Sequence, residues 1–277
     1  MFSFNRNATY VGYYNDQILF RGLYPFLPHT MLRDFDCMLQ NGIRNFMSLQ
    51  TGGQVFQPDY NLLLHAEMVW NDHLTAADFI RSLAAKVAGK KYARVLSDYL
   101  IRRMRVYEKA MIWCELDADV CHLDYRWLKE DSSPFFRRLV KVYGNAEKKL
   151  RSAASKLSEA IRGMPSGLPL AEWLRKESSR AVFEAEVFHV MKLQQDVFSD
   201  LPEARRTRDA EKVRACRRKL VELGRALADS VKTGEAAGQR EAYYGKFADP
   251  WMRQDLNRKI AWCDSILKKQ PVQGFEK

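Results

Sequence analysis

Residues 135–161 read FFRRLVKVYGNAEKKLRSAASKLSEAI, and this stretch decides the fold. Leu139, Val142, Ala146, Leu150, Ala153, Leu157 and Ile161 follow one another in steps of three and four. That spacing puts them on one stripe of a helix, with Arg, Lys, Ser and Glu on the other face. Such a helix has to bury its stripe against another element. Its neighbours carry the same pattern. Tyr92, Leu96, Leu100, Tyr107, Ala110 and Cys114 mark a stripe in 91–114. Phe183, Val187, Val190, Gln194 and Val197 mark one in 170–198. Val213, Cys216, Leu220, Leu223, Leu227 and Val231 follow in 209–232, and Met252, Leu256, Ile260, Cys263 and Leu267 in 251–267. Breaks are expected at Ser132-Ser133-Pro134, Gly163 to Gly167, Asp200-Leu201-Pro202 and Gly234 to Gly238. Short links between long amphipathic helices predict antiparallel packing into a bundle, here over 90–277.

Residues 1–89 read differently. Tyr10 to Phe26, YVGYYNDQILFRGLYPF, is rich in aromatics and broken by Gly12, Gly22 and Pro25, which suits strand and loop. Thr30 is the expected N-cap of a helix that buries Met31, Phe35, Met38 and Leu39 and ends at Asn41-Gly42. Ile43, Phe46, Met47 and Leu49 then make a short buried strand closed by Gly52-Gly53. Helix, glycine, buried strand and Gly-rich loop form one step of an α/β fold. One or two such steps cannot close a sheet, so this part reads as incomplete. A helix from Asp59 follows. Thr75, with Asp78 three residues on, marks the N-terminus of the next, and Gly89 its end. The fold class expected is therefore mainly α, with a small α/β segment at 1–89 followed by the helical bundle.

The chain is long enough for one large domain or two modest ones, and its 47% hydrophobic residues can build a core. Nine prolines and 14 glycines are too few for the turns of an all-β chain. The formal charge of +11 permits contact with anionic partners. The densest basic stretch, Arg205 to Lys219, spreads its charge around a helix and interleaves no aromatic. It lacks the stacking platforms of single-strand binders, which argues against nucleic acid. The five cysteines are scattered and form no Cys-x-x-Cys pair, so they read as reduced, mostly buried thiols with no metal site. No apolar run approaches the roughly 20 residues of a bilayer span, and the first residues do not read as a signal peptide. A cytoplasmic location without membrane contact is the expectation.

No phosphate loop, dinucleotide fingerprint or His-Glu-x-x-His pattern occurs, and no cofactor is expected. The best constellation is Ser48-Leu49-Gln50-Thr51-Gly52-Gly53-Gln54, at the carboxyl end of the short strand. In α/β barrels that end faces the ligand. Gln50 and Gln54 could hydrogen-bond sugar hydroxyls, against the plainer reading of two solvated amides. Trp70, in the turn Trp70-Asn71-Asp72-His73, offers a ring on which a sugar face can stack, or simply packs at a helix end. Glycosidic cleavage needs two carboxyls across one bond, and no pair stands out.

The run NGIRNFMSLQTGG, followed by LLLHAEMVWNDHLTAADFIRSLAAKVAGKKYARVLSDYL, resembles the end of the catalytic barrel in a large bacterial family of uncharacterised glycoside-hydrolase-like proteins. The punctuation that carries the likeness is Gly42, Gln50, Val69-Trp70-Asn71, Asp78-Phe79, Gly89 and Tyr99-Leu100, within about residues 20–110. The resemblance implies that 1–89 are a barrel remnant and that 90–277 are the family's C-terminal helical domain. It implies a carbohydrate-active protein whose acid/base carboxylates lie on earlier strands, outside this chain, so no catalytic residue is expected here. Gln50 carries over as a substrate contact. The partners implied are carbohydrate or a missing barrel half. The alternatives are a helical interaction or scaffold protein and, behind it, a basic nucleic-acid binder.

Overall fold

The computed structural model describes residues 9–16, 23–43, 45–51, 60–71, 73–110, 133–165, 167–236 and 249–269. The chain is mainly helical. In order come β1 (Thr9–Asp16), α1 (Pro28–Gln40), β2 (Asn45–Thr51), α2 (Tyr60–Met68), α3 (Ala76–Ala110), α4 (Ser133–Arg162), α5 (Pro169–Thr207), α6 (Ala210–Ala236) and α7 (Asp249–Leu267). These residues gather into two compact units. One holds Met1–Ile112 and Lys149–Ala181, the other Trp113–Lys148 and Val182–Lys277. The helices α4 and α5 supply residues to both.

In the first unit β1 and β2 pair in parallel, Thr9 opposite Asn45 and Val11 opposite Met47, with an irregularity between Gly12 and Asn15. Parallel neighbours need a crossover, and α1 lies on it. Among the described residues the sheet has these two strands alone. The start of α1 differs from the expectation. Leu27 is the N-cap, without a side-chain cap, and Pro28 opens the helix, so Thr30 lies inside it. Proline suits the first turn because its fixed φ is already helical and no donor is lost there. The carboxylate of Glu108, on α3, accepts the His29 N–H at 3.1 Å and serves one of the otherwise orphaned first-turn donors.

At the start of α3, Thr75 and Asp78 form the expected box: the Asp78 N–H donates to Thr75 Oγ1 at 3.1 Å, and Thr75 Oγ1 donates to Asp78 Oδ2 at 2.6 Å. Gly89 sits at φ 64°, ψ 170°, a non-helical kink joining two helical stretches. Those angles are essentially reserved for glycine. The boundary expected at 89/90 thus coincides with the kink, and the first unit includes residues on both sides of it.

In the second unit, α5 from Val182 onward is buried nearly all round: Phe183, Ala185, Val187, Phe188, Val190, Met191, Val197 and Phe198 are all enclosed. A helix buried on nearly every side belongs in the centre of a bundle. The other helices of this unit show one buried face each. Leu139 and Ala146 are buried on α4, Val213, Cys216, Leu220, Leu223 and Leu227 on α6, and Leu256 and Cys263 on α7. Burying each Leu, Val or Phe contributes about 1.5–3 kcal/mol, which makes this packing the main source of stability. The break expected at Asp200–Pro202 does not occur. Pro202 lies inside α5, which continues to Thr207. Proline in a helix interior costs about 3 kcal/mol, and the burial of Leu201, Pro202 and Ala204 offsets it. The real break is at Arg208, at φ 51°, followed by Asp209. Asp209 Oδ1 caps α6 by accepting the N–H groups of Glu211 and Lys212 at 3.0 and 2.9 Å. At its other end α6 runs through Gly234 to Ala236. No helix among the described residues is long and apolar enough to cross a membrane.

Candidate functional site

Gln50 lies near the end of β2, opposite Asn15 of β1. Its backbone is described and its side chain is not, while Gln54 falls outside the described residues. Trp70 closes the turn after α2, its N–H donating to the Glu67 carbonyl at 3.2 Å, and its side chain is 90% exposed. The ring is therefore not the packing residue of a helix end. It continues an apolar stripe on α2 made by Leu62, Leu63 and Val69, all exposed, with Met47 of β2 exposed as well. The opposite stripe of α2, Tyr60, Asn61, Leu64 and Met68, is buried. So α2 is apolar on two opposed faces and only one is covered within the described residues. Between the faces, His65 is partly buried against Phe46 of β2, ring centroids 4.2 Å apart, and burial holds its pKa below the usual histidine value.

Beneath that region lies a cluster that the sequence reading missed. Arg180 of α5 and Arg103 of α3 are 0% and 1% exposed. Their guanidiniums flank the Tyr60 ring, each 5.8 Å from its centroid. Arg180 also lies 4.7 Å from the centroid of Tyr24, and Arg103 5.5 Å from that of Tyr107. Arg180 Nη1 donates to Glu177 Oε1 at 3.2 Å, and Arg103 Nη2 to the Tyr24 carbonyl at 2.6 Å. Asn61 Nδ2 donates to the Pro25 carbonyl at 2.6 Å. Burial pushes the Tyr60 hydroxyl well above the usual tyrosine range, and Glu177 adds to this while both guanidiniums pull against it. The cluster ties the segment Leu23–Leu27 to α2, α3 and α5. Cations held on aromatic faces in a desolvated interior are worth about 2 kcal/mol or more each, which suits a rigid support beneath α2. A signal for it was present in the sequence: Arg103 falls on the α3 stripe between Leu100 and Tyr107, and Arg180 one turn before Phe183. A charge at a stripe position has to find partners in the core.

The second unit holds a Glu–His–Lys group. Glu147 of α4 meets His189 Nδ1 at 3.2 Å and Lys192 Nζ at 3.0 Å, both on α5. Burial pushes the Glu147 carboxyl up, but Lys192 and His189 outweigh it and hold it below the ordinary value of 4.5. A carboxylate beside an imidazole is how catalytic bases are oriented, yet no hydroxyl or thiol is placed on this imidazole by any contact of the described residues. The group reads as a clamp between α4 and α5. No set of three or more metal-ligating side chains converges among the described residues. Cys37 is exposed, while Cys216 and Cys263 are buried free thiols, pushed up to about 11 and about 12 mainly by desolvation, which makes them poor nucleophiles.

In the basic stretch Arg205 to Lys219, four of the eight cations, Arg206, Lys212, Arg217 and Lys219, are held by carboxylates. Glu203 takes Lys212 at 2.6 Å and Arg206 at 3.4 Å, Asp264 takes Arg217 at 2.6 Å, and Asp196 and Asp200 take Lys219 at 2.8 and 2.6 Å. Comparison with family models, with curated proteins and with solved structures finds no significant match to this chain.

Proposed function

We propose that this chain is the C-terminal portion of a glycoside-hydrolase-like, carbohydrate-active protein, without catalysis of its own. The observation that carries the reading is the order of its elements. A parallel β–α–β step is followed by a helix whose outer apolar side chains, Leu63, Val69 and Trp70, are exposed. Parallel strands belong in sheets sealed by helices on both faces, so two of them imply more strands beyond. In this reading β1 and β2 are the last elements of a barrel. The uncovered α2 face packs on the remainder of that α/β domain, which carries the acid/base carboxylates, whether on this polypeptide or another. Gln50 and Gln54 stand at the ligand end of the last strand, and the helical units brace it.

The test is a titration with neutral oligosaccharides and chromogenic aryl glycosides, read by calorimetry and by chromophore release. The expected result is weak binding without turnover, reduced by Gln50→Ala. Turnover by the chain alone, or no binding to any glycan, contradicts the proposal. A helical interaction protein is the second reading, favoured by the same uncovered α2 face. It predicts a stable protein partner and no response to sugars.

A further inference from the structure

A groove of about 190 Å³ runs between α3 and α4 in the first unit, lined by Val95, Asp98, Tyr99, Arg102, Ala153, Lys156, Leu157 and Ala160. Its floor is apolar and well supported. The Tyr99 hydroxyl donates to the Glu177 carbonyl at 3.3 Å, and Ser178 Oγ donates to the Ala154 carbonyl at 3.1 Å. Its rim is cationic. Arg102 and Lys156 face the groove, and their rows continue through Arg105 and Lys109 on α3 and back to Lys149 on α4, all exposed. Steps of three, four and seven keep each row on one helix face, roughly 10 Å from end to end. None of these five cations has an ion-pair partner among the described residues. On α5 and α6, by contrast, Arg206, Lys212, Arg217 and Lys219 are met by Glu203, Asp264, Asp196 and Asp200. Five exposed cations around one carboxylate, Asp98, leave an excess of positive charge that costs self-repulsion, and an anionic ligand relieves it.

We infer that this groove binds an acidic oligosaccharide, one whose sugars bear carboxylate or sulfate groups. The inference goes beyond the proposed function and uses different residues from those at β2 and Trp70. Three features choose this occupant. Membrane-surface helices present large apolar side chains, and none of the exposed ones lies on α3 beyond Gly89 or on α4 beyond Lys149. Single-stranded nucleic acid needs exposed stacking rings, and the one aromatic of the groove, Tyr99, is buried. A phosphodiester backbone carries no donor for Asp98, whose carboxylate lines the same groove and would repel it. A sugar supplies what the groove asks for. Its hydroxyls donate to Asp98, its C–H face lies on the half-buried Val95 and Ala160, and its anionic groups meet Arg102 and Lys156.

The experiment is calorimetric titration of the full chain with a sulfated hexasaccharide, an oligogalacturonate, a neutral cello-oligosaccharide and a short DNA duplex. The expected result is binding of an acidic saccharide, weakened about tenfold or more by Arg102→Glu with Lys156→Glu, as charge reversal at a contact does. The exposed pair Arg214→Glu with Arg218→Glu on α6 lowers net charge equally and is expected to leave binding near wild type. The uncharged pair Arg102→Gln with Lys156→Gln is read the same way if the reversals disturb folding by circular dichroism. Asp98→Ala is decisive. A saccharide site loses affinity on that change, whereas a purely electrostatic surface gains it. Tighter binding by Asp98→Ala, equal loss in the α6 control, preference for DNA, or no binding of either acidic saccharide would overturn the inference. Failure of the neutral-sugar titration under the proposed function leaves these outcomes unaffected.

Discussion

Arg180 shows what a single residue does in this molecule. Its guanidinium is fully enclosed, paired with Glu177 and laid over Tyr24. Replacing it with Met keeps the volume and strands the Glu177 carboxylate in the core. The expected cost is about 3–5 kcal/mol, measured by urea unfolding, and adding Glu177→Leu should recover most of it. A single variant as stable as the wild type would mean that the pair is solvated. Glu147 gives a pH signature. Its folded pKa is lowered, so its contribution is fully present above the unfolded value of 4.5 and is lost as pH falls through the folded one. Glu147→Gln should cost about 1–2 kcal/mol at neutral pH, and the difference from wild type should vanish in acid. A difference that persists in acid would show that the carboxylate charge is not what matters. The stripe positions Leu139, Leu150, Leu157 and Leu220 were legible in the sequence because apolar periodicity reports burial directly. Arg103 and Arg180 were not, because charge at a stripe position reads as solvated until its partners are seen. Glu177 and Tyr107 are near neighbours, but Tyr24 and Tyr60, which complete the cluster, are remote in sequence.

At the scale of the element, the helix ends show which local signals prevail. Thr75 with Asp78 and Gly89 acted as their chemistry dictates. Thr30 did not cap α1, because Pro28 two residues earlier already holds a helical φ and Glu108 serves the first turn. Pro202 did not break α5, because its surroundings are core and burial outweighs one missing hydrogen bond. Gly89→Ala separates backbone strain from packing. Nothing lies within 4 Å of where a Cβ would sit, so any cost is conformational. The expected loss is about 1–3 kcal/mol by thermal or urea unfolding. No loss would show that α3 passes through residue 89 without the kink. The helix α1 and its end at Asn41-Gly42 were legible from the apolar spacing, as was a short apolar run after it. The parallel pairing of β1 and β2 was not, since register and direction depend on contacts that no short window contains.

For the whole molecule, the long helices predicted the mainly helical fold, and the centrality of α5 is what periodicity alone understated. The stripe of Phe183, Val187, Val190 and Val197 is one of several buried faces of that helix. Of the residues singled out for a site, Trp70 proves to be a solvent-facing ring on an apolar stripe, an arrangement that sequence could not distinguish from a packed helix end. The proposed function rests on that stripe. The measurement that tests it most directly is sedimentation velocity of the wild type and of Val69→Asp with Trp70→Ser over a wide range of concentration. Both changed side chains are exposed, so the fold should be kept. The wild type is expected to self-associate through the exposed α2 face as concentration rises, and the double variant to stay monomeric with unchanged helix content. A wild type that is monomeric throughout, or a variant that associates equally, would contradict it.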